Sequence, residues 1–303
     1  MKACVLKHGG SATENEETKK EDKNMIRSLS DRKKLACGVK MPMVGLGVYK
    51  ARPEHDETYN AVRYALDAGY RHIDTARFYK NEAEVGRAVR DSKVPREEVF
   101  IVSKLWVSDY ADPVSAFEDS LKNIGSDYMD ACLLHWPGAN DHLRFKAFEA
   151  LLLMQEKKKL LCAGVSNFLP HHLRELMEEF GALPAVNQIE LHPWRQQRDN
   201  VSFCEGKGIQ IVSWGPIFHG HLSEEPLMEE VAARYGVSPA QATLKWHLQK
   251  GYAIIPKSVH KERIIQNAQL FDFEISEEDM RMIDALDGKK RFAFDEDAFN
   301  GLR

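Results

Sequence analysis

The 303-residue chain is most informative at first for what it lacks. Its five cysteines, Cys4, Cys37, Cys132, Cys162 and Cys204, include no Cys-x-x-Cys spacing. That leaves no sequence case for a zinc ribbon or a dithiol redox motif, and reduced, buried thiols are expected. No apolar stretch approaches the roughly 20 residues that span a bilayer. Lys2 and Lys7 are not followed by a long apolar run of the secretory kind. The formal net charge of −4 gives no electrostatic reason to bind nucleic acid. These absences lead to the expectation of a cytoplasmic protein, acting as a monomer on small molecules, with neither a nucleic-acid nor a membrane partner.

What is present is a rhythm. Seven apolar runs each end in a short polar signature: RHIDTARFY (71–79), VFIVSKLW (99–106), ACLLHWP (131–137), AGVSNF (163–168), VNQIEL (186–191), IVSWGP (211–216) and AIIPKS (253–258). Helix-like stretches separate them. Tyr59, Val62, Ala65 and Leu66 share one helical face, as do Phe117, Leu121 and Ile124, and Leu173, Leu176 and Met177. The crossover after 214 is long enough for two helices, Glu224–Tyr235 and Ser238–Lys250. Buried strands alternating with helices imply a parallel sheet covered on its faces. With a further strand at Met43–Gly47, the count predicts a (β/α)8 TIM barrel preceded by a short β-hairpin turning at Cys37-Gly38. Residues 1–32, which include the charged stretch GGSATENEETKKEDKN with almost no apolar side chains, read as a disordered N-terminal extension, with the barrel domain over 33–303.

In such a barrel the polar signatures gather at the carboxyl ends of the strands. Asp74, Tyr79, Lys104 and His135 then form one pocket. A lysine cation lowers the pKa of a neighbouring tyrosine, an aspartate satisfies the buried lysine, and a neutral histidine holds a carbonyl oxygen beside the phenol. That chemistry suits carbonyl reduction. Farther along, Lys257, Ser258 and Arg263 make a phosphate site at a strand end and helix start, suited to a dianionic monoester such as a 2′-phosphate. Trp214 offers a flat face for a nicotinamide ring, and Ser166, Asn167 and Gln188 offer partners for its carboxamide.

The stretches DTARFYKNEAEVG, VSKLW, LLHWPG, GVSNF, NQIELHP and IPKSVHKERIIQN together resemble the motif series of the aldo-keto reductases, over residues 35–296. The chain looks most like the prostaglandin F synthase and 2,5-diketogluconate reductase branch. The resemblance implies NADPH-dependent reduction of aldehydes and ketones, with Tyr79 as general acid and Asp74, Lys104 and His135 completing a tetrad. It implies Gln266 and Asn267 beside Lys257, Ser258 and Arg263 at the adenosine end, and no metal. No dinucleotide fingerprint is needed, and Gly45-Leu46-Gly47 is not one. Tyr49, Trp106, Trp136, Phe218 and His219 are expected to line an aromatic substrate pocket. Gly215-Pro216-Ile217-Phe218 replaces the family's Ser-Pro-Leu-Gly, so weaker NADPH binding is expected, and Gly215→Ser should tighten it. Two other readings of the same pattern are a non-enzymatic barrel and a metal-dependent hydrolase using His72, Asp74, Lys104, His135 and His192.

Overall fold

The computed structural model describes residues 26–301. Most of the expected disordered extension, with Cys4, lies outside the described residues. Order begins before Lys33. Ser28–Asp31 form a turn in which the Arg27 amide donates to Asp31 Oδ2 at 2.7 Å, and Ile26 and Leu29 pack against the core. The apolar pair Ile26 and Leu29 anchors this stretch, although charge dominates the sequence before it.

The hairpin joins β1 (Arg32–Lys34) to β2 (Lys40–Pro42) in antiparallel register. Eight parallel strands follow: β3 (Leu46–Gly47), β4 (His72–Asp74), β5 (Phe100–Leu105), β6 (Met129–Leu134), β7 (Leu160–Ser166), β8 (Val186–Glu190), β9 (Gln210–Trp214) and β10 (Ala253–Ile254). Each pairs with the next in sequence. Bridges Val44↔Ile254 and Gly47↔Lys257 join the first barrel strand to the last. The expected (β/α)8 barrel with an N-terminal hairpin is thus the observed fold. β3 and β10 are shorter than expected because Pro256 has no amide to donate, so this seam closes by single bonds such as Gly47 N to Pro256 O at 3.2 Å. A Cβ on Gly47 would lie 2.8 Å from the Ile255 carbonyl oxygen, and one on Gly45 would lie 2.7 Å from the His72 ring. The two glycines serve barrel closure.

The helices α1 (Glu57–Asp67), α2 (Glu82–Asp91), α3 (Pro113–Ile124), α4 (Asp141–Glu156), α5 (Pro170–Phe180) and α6 (Arg198–Gly206) cover the outside. Val62, Ala65 and Leu66 of α1 and Phe117, Leu121 and Ile124 of α3 are buried, as their spacing predicts. The long crossover carries α7 (Pro226–Tyr235) and α8 (Pro239–Gln249), and Ser238 Oγ caps the latter by accepting from the Gln241 amide. After β10 come α9 (Lys261–Gln266) and α10 (Glu277–Asp284), then an irregular segment to 301.

The hairpin sits at the amino ends of the strands. Arg32 donates to the Glu98 carbonyl just before β5 at 2.6 Å, and Lys33 lies beside Gly251 just before β10. The polar strand ends are at the opposite face. Cys132, Cys162 and Cys204 are buried as expected, but Cys37 is exposed at the hairpin turn. No described helix is long and apolar enough to cross a membrane.

Candidate active site

Adjacent strands deliver the four expected residues to one place. Asp74 ends β4, Lys104 is the penultimate residue of β5, and His135 directly follows β6. Tyr79 closes a single helical turn after β4. Lys104 is fully buried and donates to Asp74 Oδ1 at 2.6 Å and to the Thr75 carbonyl at 2.8 Å. The second carboxylate oxygen of Asp74 accepts from Gln188 Nε2 at 2.7 Å. The lysine ammonium stands 5.1 Å from the centre of the Tyr79 ring, and the His135 ring stands edge-on to it at 5.7 Å.

Electrostatics depart from expectation at the tyrosine. Burial, with Asp74 and Tyr49 adding to it, raises the Tyr79 pKa well above its ordinary value. The expected lowering by lysine fails because Lys104 is taken up by Asp74 and Thr75, while the phenol pays for desolvation. Burial also lowers Lys104, against the opposing pull of Asp74. Burial, and next the charge of Lys104, hold His135 well below the usual histidine range. The pocket therefore presents a protonated phenol and a neutral imidazole. His135 Nδ1 is buried without a partner among the described residues.

The mouth is aromatic, and its composition is only partly as expected. Tyr49 lies 4.9 Å from the Tyr79 ring. Trp106 stacks on Phe78 at 4.0 Å and meets His135 edge-on at 4.9 Å. Trp136 packs on Phe299 of the C-terminal segment at 4.3 Å. Phe78 and Phe299 were not singled out in the sequence, although Phe78 sits beside Tyr79. Phe218, in contrast, does not line the pocket. It is fully buried, 4.7 Å from Trp194 and 5.5 Å from His192, because apolar burial draws it under the loop. His219 stacks on Phe292, and burial lowers its pKa. Gly215 has φ 64, and a Cβ there would stand 3.3 Å from the His219 ring. The expectation that Gly215→Ser tightens NADPH binding is thereby undercut, since a side chain at that φ is strained.

A ladder of amides links the tetrad to Trp214. Asn167, with φ 62, donates from Nδ2 to the His135 carbonyl at 3.0 Å and accepts at Oδ1 from Trp214 Nε1 at 2.9 Å. Ser166 Oγ donates to the Gln188 carbonyl at 2.7 Å. Gln188 Oε1 accepts no hydrogen bond among the described residues. Lys257, Arg263 and Gln266 are exposed, while Ser258 and Asn267 are buried. Neither Lys257 nor Arg263 forms an ion pair among the described residues. Burial and then the nearby Lys50, against the pull of Glu57, lower the Lys257 pKa. Lys50 thus joins the basic lip, unsignalled by any motif.

Sequence reasoning also missed Glu190. This buried carboxylate at the end of β8 accepts from His192 Nε2 at 3.1 Å, from Arg195, and from the amides of Phe292 and Ala293 at 2.8 and 2.9 Å. Arg195 continues to Glu296 at 2.7 Å, and Arg291 reaches Glu296 at 2.6 Å. The C-terminal segment is tied across the barrel mouth by this chain of charges.

Two histidines of the metal-hydrolase reading each commit one ring nitrogen to the fold. His72 Nδ1 donates to the Pro42 carbonyl at 3.0 Å, and His192 serves Glu190. His171, His172 and Asp297 do come within ligand distance of one another. However, His172 Nδ1 accepts from the Leu169 amide at 3.1 Å. Its proton is then on Nε2, facing Asp297, as in an ordinary hydrogen bond.

Comparison with known proteins agrees with this geometry. The family model described as "Aldo/keto reductase family" matches residues 43–288. The chain is 45% identical over 266 residues to the 9,11-endoperoxide prostaglandin H2 reductase of Trypanosoma cruzi, covering 86% of this chain and 93% of that protein. It is 44% identical over 269 residues to the glyoxal reductase of Bacillus subtilis, covering 88% and 96%. Among solved structures, an aldo-keto reductase from a Medee basin deep-sea metagenome library superposes with a TM-score of 0.85 at 38% identity, covering 88% of this chain and 99% of that one. An aldo-keto reductase of Bombyx mori in complex with NADP gives 0.80 at 30% identity, covering 88% and 95%.

Proposed function

The chain belongs to the aldo/keto reductase family, and from that premise we propose that this oxidoreductase reduces aldehydes and ketones with NADPH, using Tyr79 as the proton donor. The observation that carries the reading is the buried Asp74–Lys104 pair beneath a phenol that burial keeps protonated.

The donor set fits the cofactor. Lys257 and Arg263 are cations without ion-pair partners among the described residues, suited to the 2′-phosphate that distinguishes NADPH from NADH. Trp214 is half-buried, with its indole N–H fixed by Asn167, so its face is held for a flat ring. Gln188 Oε1 is free to accept from a carboxamide. The NADP-bound Bombyx mori relative supports the same choice. When bound, the cofactor supplies the hydride that the carbonyl carbon receives.

The chain's own residues handle the oxygen. Neutral His135 donates to the carbonyl oxygen and polarises it. As negative charge builds there, Tyr79 Oη passes its proton to that oxygen. The phenolate left behind is stabilised by the Lys104 ammonium, which Asp74 holds in place. A phenol with a raised pKa is a weak acid at rest, so transfer is driven by the basicity of the forming alkoxide. Trp106, Phe78 and Trp136 exclude water and favour carbonyl compounds with an apolar part. The T. cruzi and B. subtilis relatives suggest prostaglandin-like and small dicarbonyl substrates respectively.

The test is a carbonyl panel containing glyoxal, methylglyoxal and aromatic aldehydes, with the endoperoxide prostaglandin H2 assayed separately beside it, followed by NADPH and separately by NADH consumption. Turnover with NADPH, at least ~10-fold preferred over NADH, is expected. No consumption with any member would refute the reading and favour the non-enzymatic barrel.

A further inference from the structure

The buried cysteines expected from the sequence include one with an unexpected neighbour. Cys37, at the exposed turn of the hairpin, has its Sγ 2.6 Å from Sγ of Cys162 in β7, 125 residues away. A disulfide brings the sulfurs to about 2.05 Å, so little movement separates this pair from a bond. The hairpin fixes this approach. Leu35 is buried, its amide donates to the Val39 carbonyl at 2.8 Å, and Gly38 N donates to the Leu35 carbonyl at 2.8 Å. The turn is thus pinned with Cys37 facing the base of the barrel. Cys162 is held from the other side by strand pairing with Ala131. Among the described residues neither Cys132 nor Cys204 is hydrogen-bonded to another cysteine, and Cys204 is bonded to Asn187 and Asn200 instead.

We propose that Cys37 and Cys162 are a peroxide-sensitive pair that closes to a disulfide, stapling the hairpin to β7 across the amino-end face of the barrel. The exposed Cys37 thiolate attacks one oxygen of hydrogen peroxide, breaking the O–O bond. This gives a sulfenic acid at Cys37 and a hydroxide that takes up a proton to become water. The Cys162 sulfur then attacks the Cys37 sulfur. The S–O bond breaks, and the departing hydroxyl takes the Cys162 proton and leaves as a second water. Two thiols and one peroxide become one disulfide and two waters; the sulfurs lose two electrons and the peroxide gains them.

The asymmetry of the pair suits these roles. Donation from the Cys162 thiol, against the effect of partial burial, lowers the Cys37 pKa to about 6, so its thiolate is populated at neutral pH. The same contact, with burial, raises Cys162, which keeps its proton for the leaving hydroxyl. The bond would enclose β2 to β6 in one covalent loop, and such a loop constrains the unfolded chain. It lies at the end of the barrel opposite Tyr79, so carbonyl reduction should not change.

The experiment exposes the full-length protein to equimolar hydrogen peroxide and follows it by denatured thiol titration and non-reducing peptide mapping. Two of the five thiols should disappear and return with dithiothreitol. The map should link the Cys37 peptide to the Cys162 peptide. The oxidised protein should melt on the order of 5 °C higher. Cys37→Ser should remove both the link and the shift, with the NADPH-dependent rate equal in all forms. Five persisting thiols, Cys37 recovered as a sulfinate, or a Cys4–Cys37 link would each overturn the proposal. None of these outcomes bears on the reductase reading.

Discussion

The charges around the barrel mouth fall into two groups. Those of the inner wall are paired within the chain: Lys104 with Asp74, and Glu190 with His192 and Arg195. Those of the outer lip, Lys257 and Arg263, have no ion-pair partner among the described residues. The inner group is held in geometry before any ligand arrives, and the fold depends on it. The lip is stable without its partner and gains one only from an anion. Substitutions in the two groups should therefore differ in kind: inner changes should cost stability and turnover, lip changes only affinity.

The largest effect is expected at Lys104. Lys104→Met leaves Asp74 buried without its cation, which should cost about 3–5 kcal/mol in urea unfolding and reduce kcat by at least ~10²-fold. A stable, active variant would remove the distinction. Next comes acid. Burial alone would raise the Glu190 carboxyl, but donation from His192 and the charge of Arg195, with the amides of Phe292 and Ala293, lower its pKa to about 2. A depressed folded-state value means the stabilisation is complete above about pH 4.5 and is lost as pH falls toward 2. The amount is about 3 kcal/mol by the linkage relation. Glu190→Gln should flatten that part of the stability profile, and unchanged acid sensitivity would show that the carboxylate does not hold the C-terminal segment. Arg263→Ala should be the mildest. NADPH affinity should fall by about 1.5–3 kcal/mol, NADH affinity should hardly move, and the melting temperature should stay where it is. A fall in Tm would mean that the lip, too, is part of the fold.

The sequence made the repeating barrel readable because each strand-and-helix unit is local, and period alone exposes it. The tetrad was readable for a related reason: Asp74, Lys104 and His135 each end an apolar run. What stayed hidden depends on contacts between distant segments with no shared period. The Glu190–Arg195–Glu296 chain spans about a hundred positions, and Cys37 meets Cys162 across 125. Phe218 was misread for the same reason, since nothing local says that Trp194 and His192 bury it. The direction of the Tyr79 shift could not be had from neighbours named along the chain. It depends on how completely the phenol is desolvated and on where the Lys104 ammonium is already engaged. The pull of Pro256 on the barrel seam was visible in composition, yet its effect on strand length emerges only once β3 and β10 face each other.

The account turns on Tyr79 supplying the proton. Tyr79→Phe removes the hydroxyl and keeps the ring against Tyr49 and His135, so the pocket should keep its shape. Single-turnover NADPH oxidation by this variant, measured beside NADPH binding by fluorescence, separates chemistry from affinity. A fall in rate of at least ~10²-fold, with the dissociation constant within about twofold of the parent, is the predicted result. A rate close to the parent's would contradict it and assign the proton to another group.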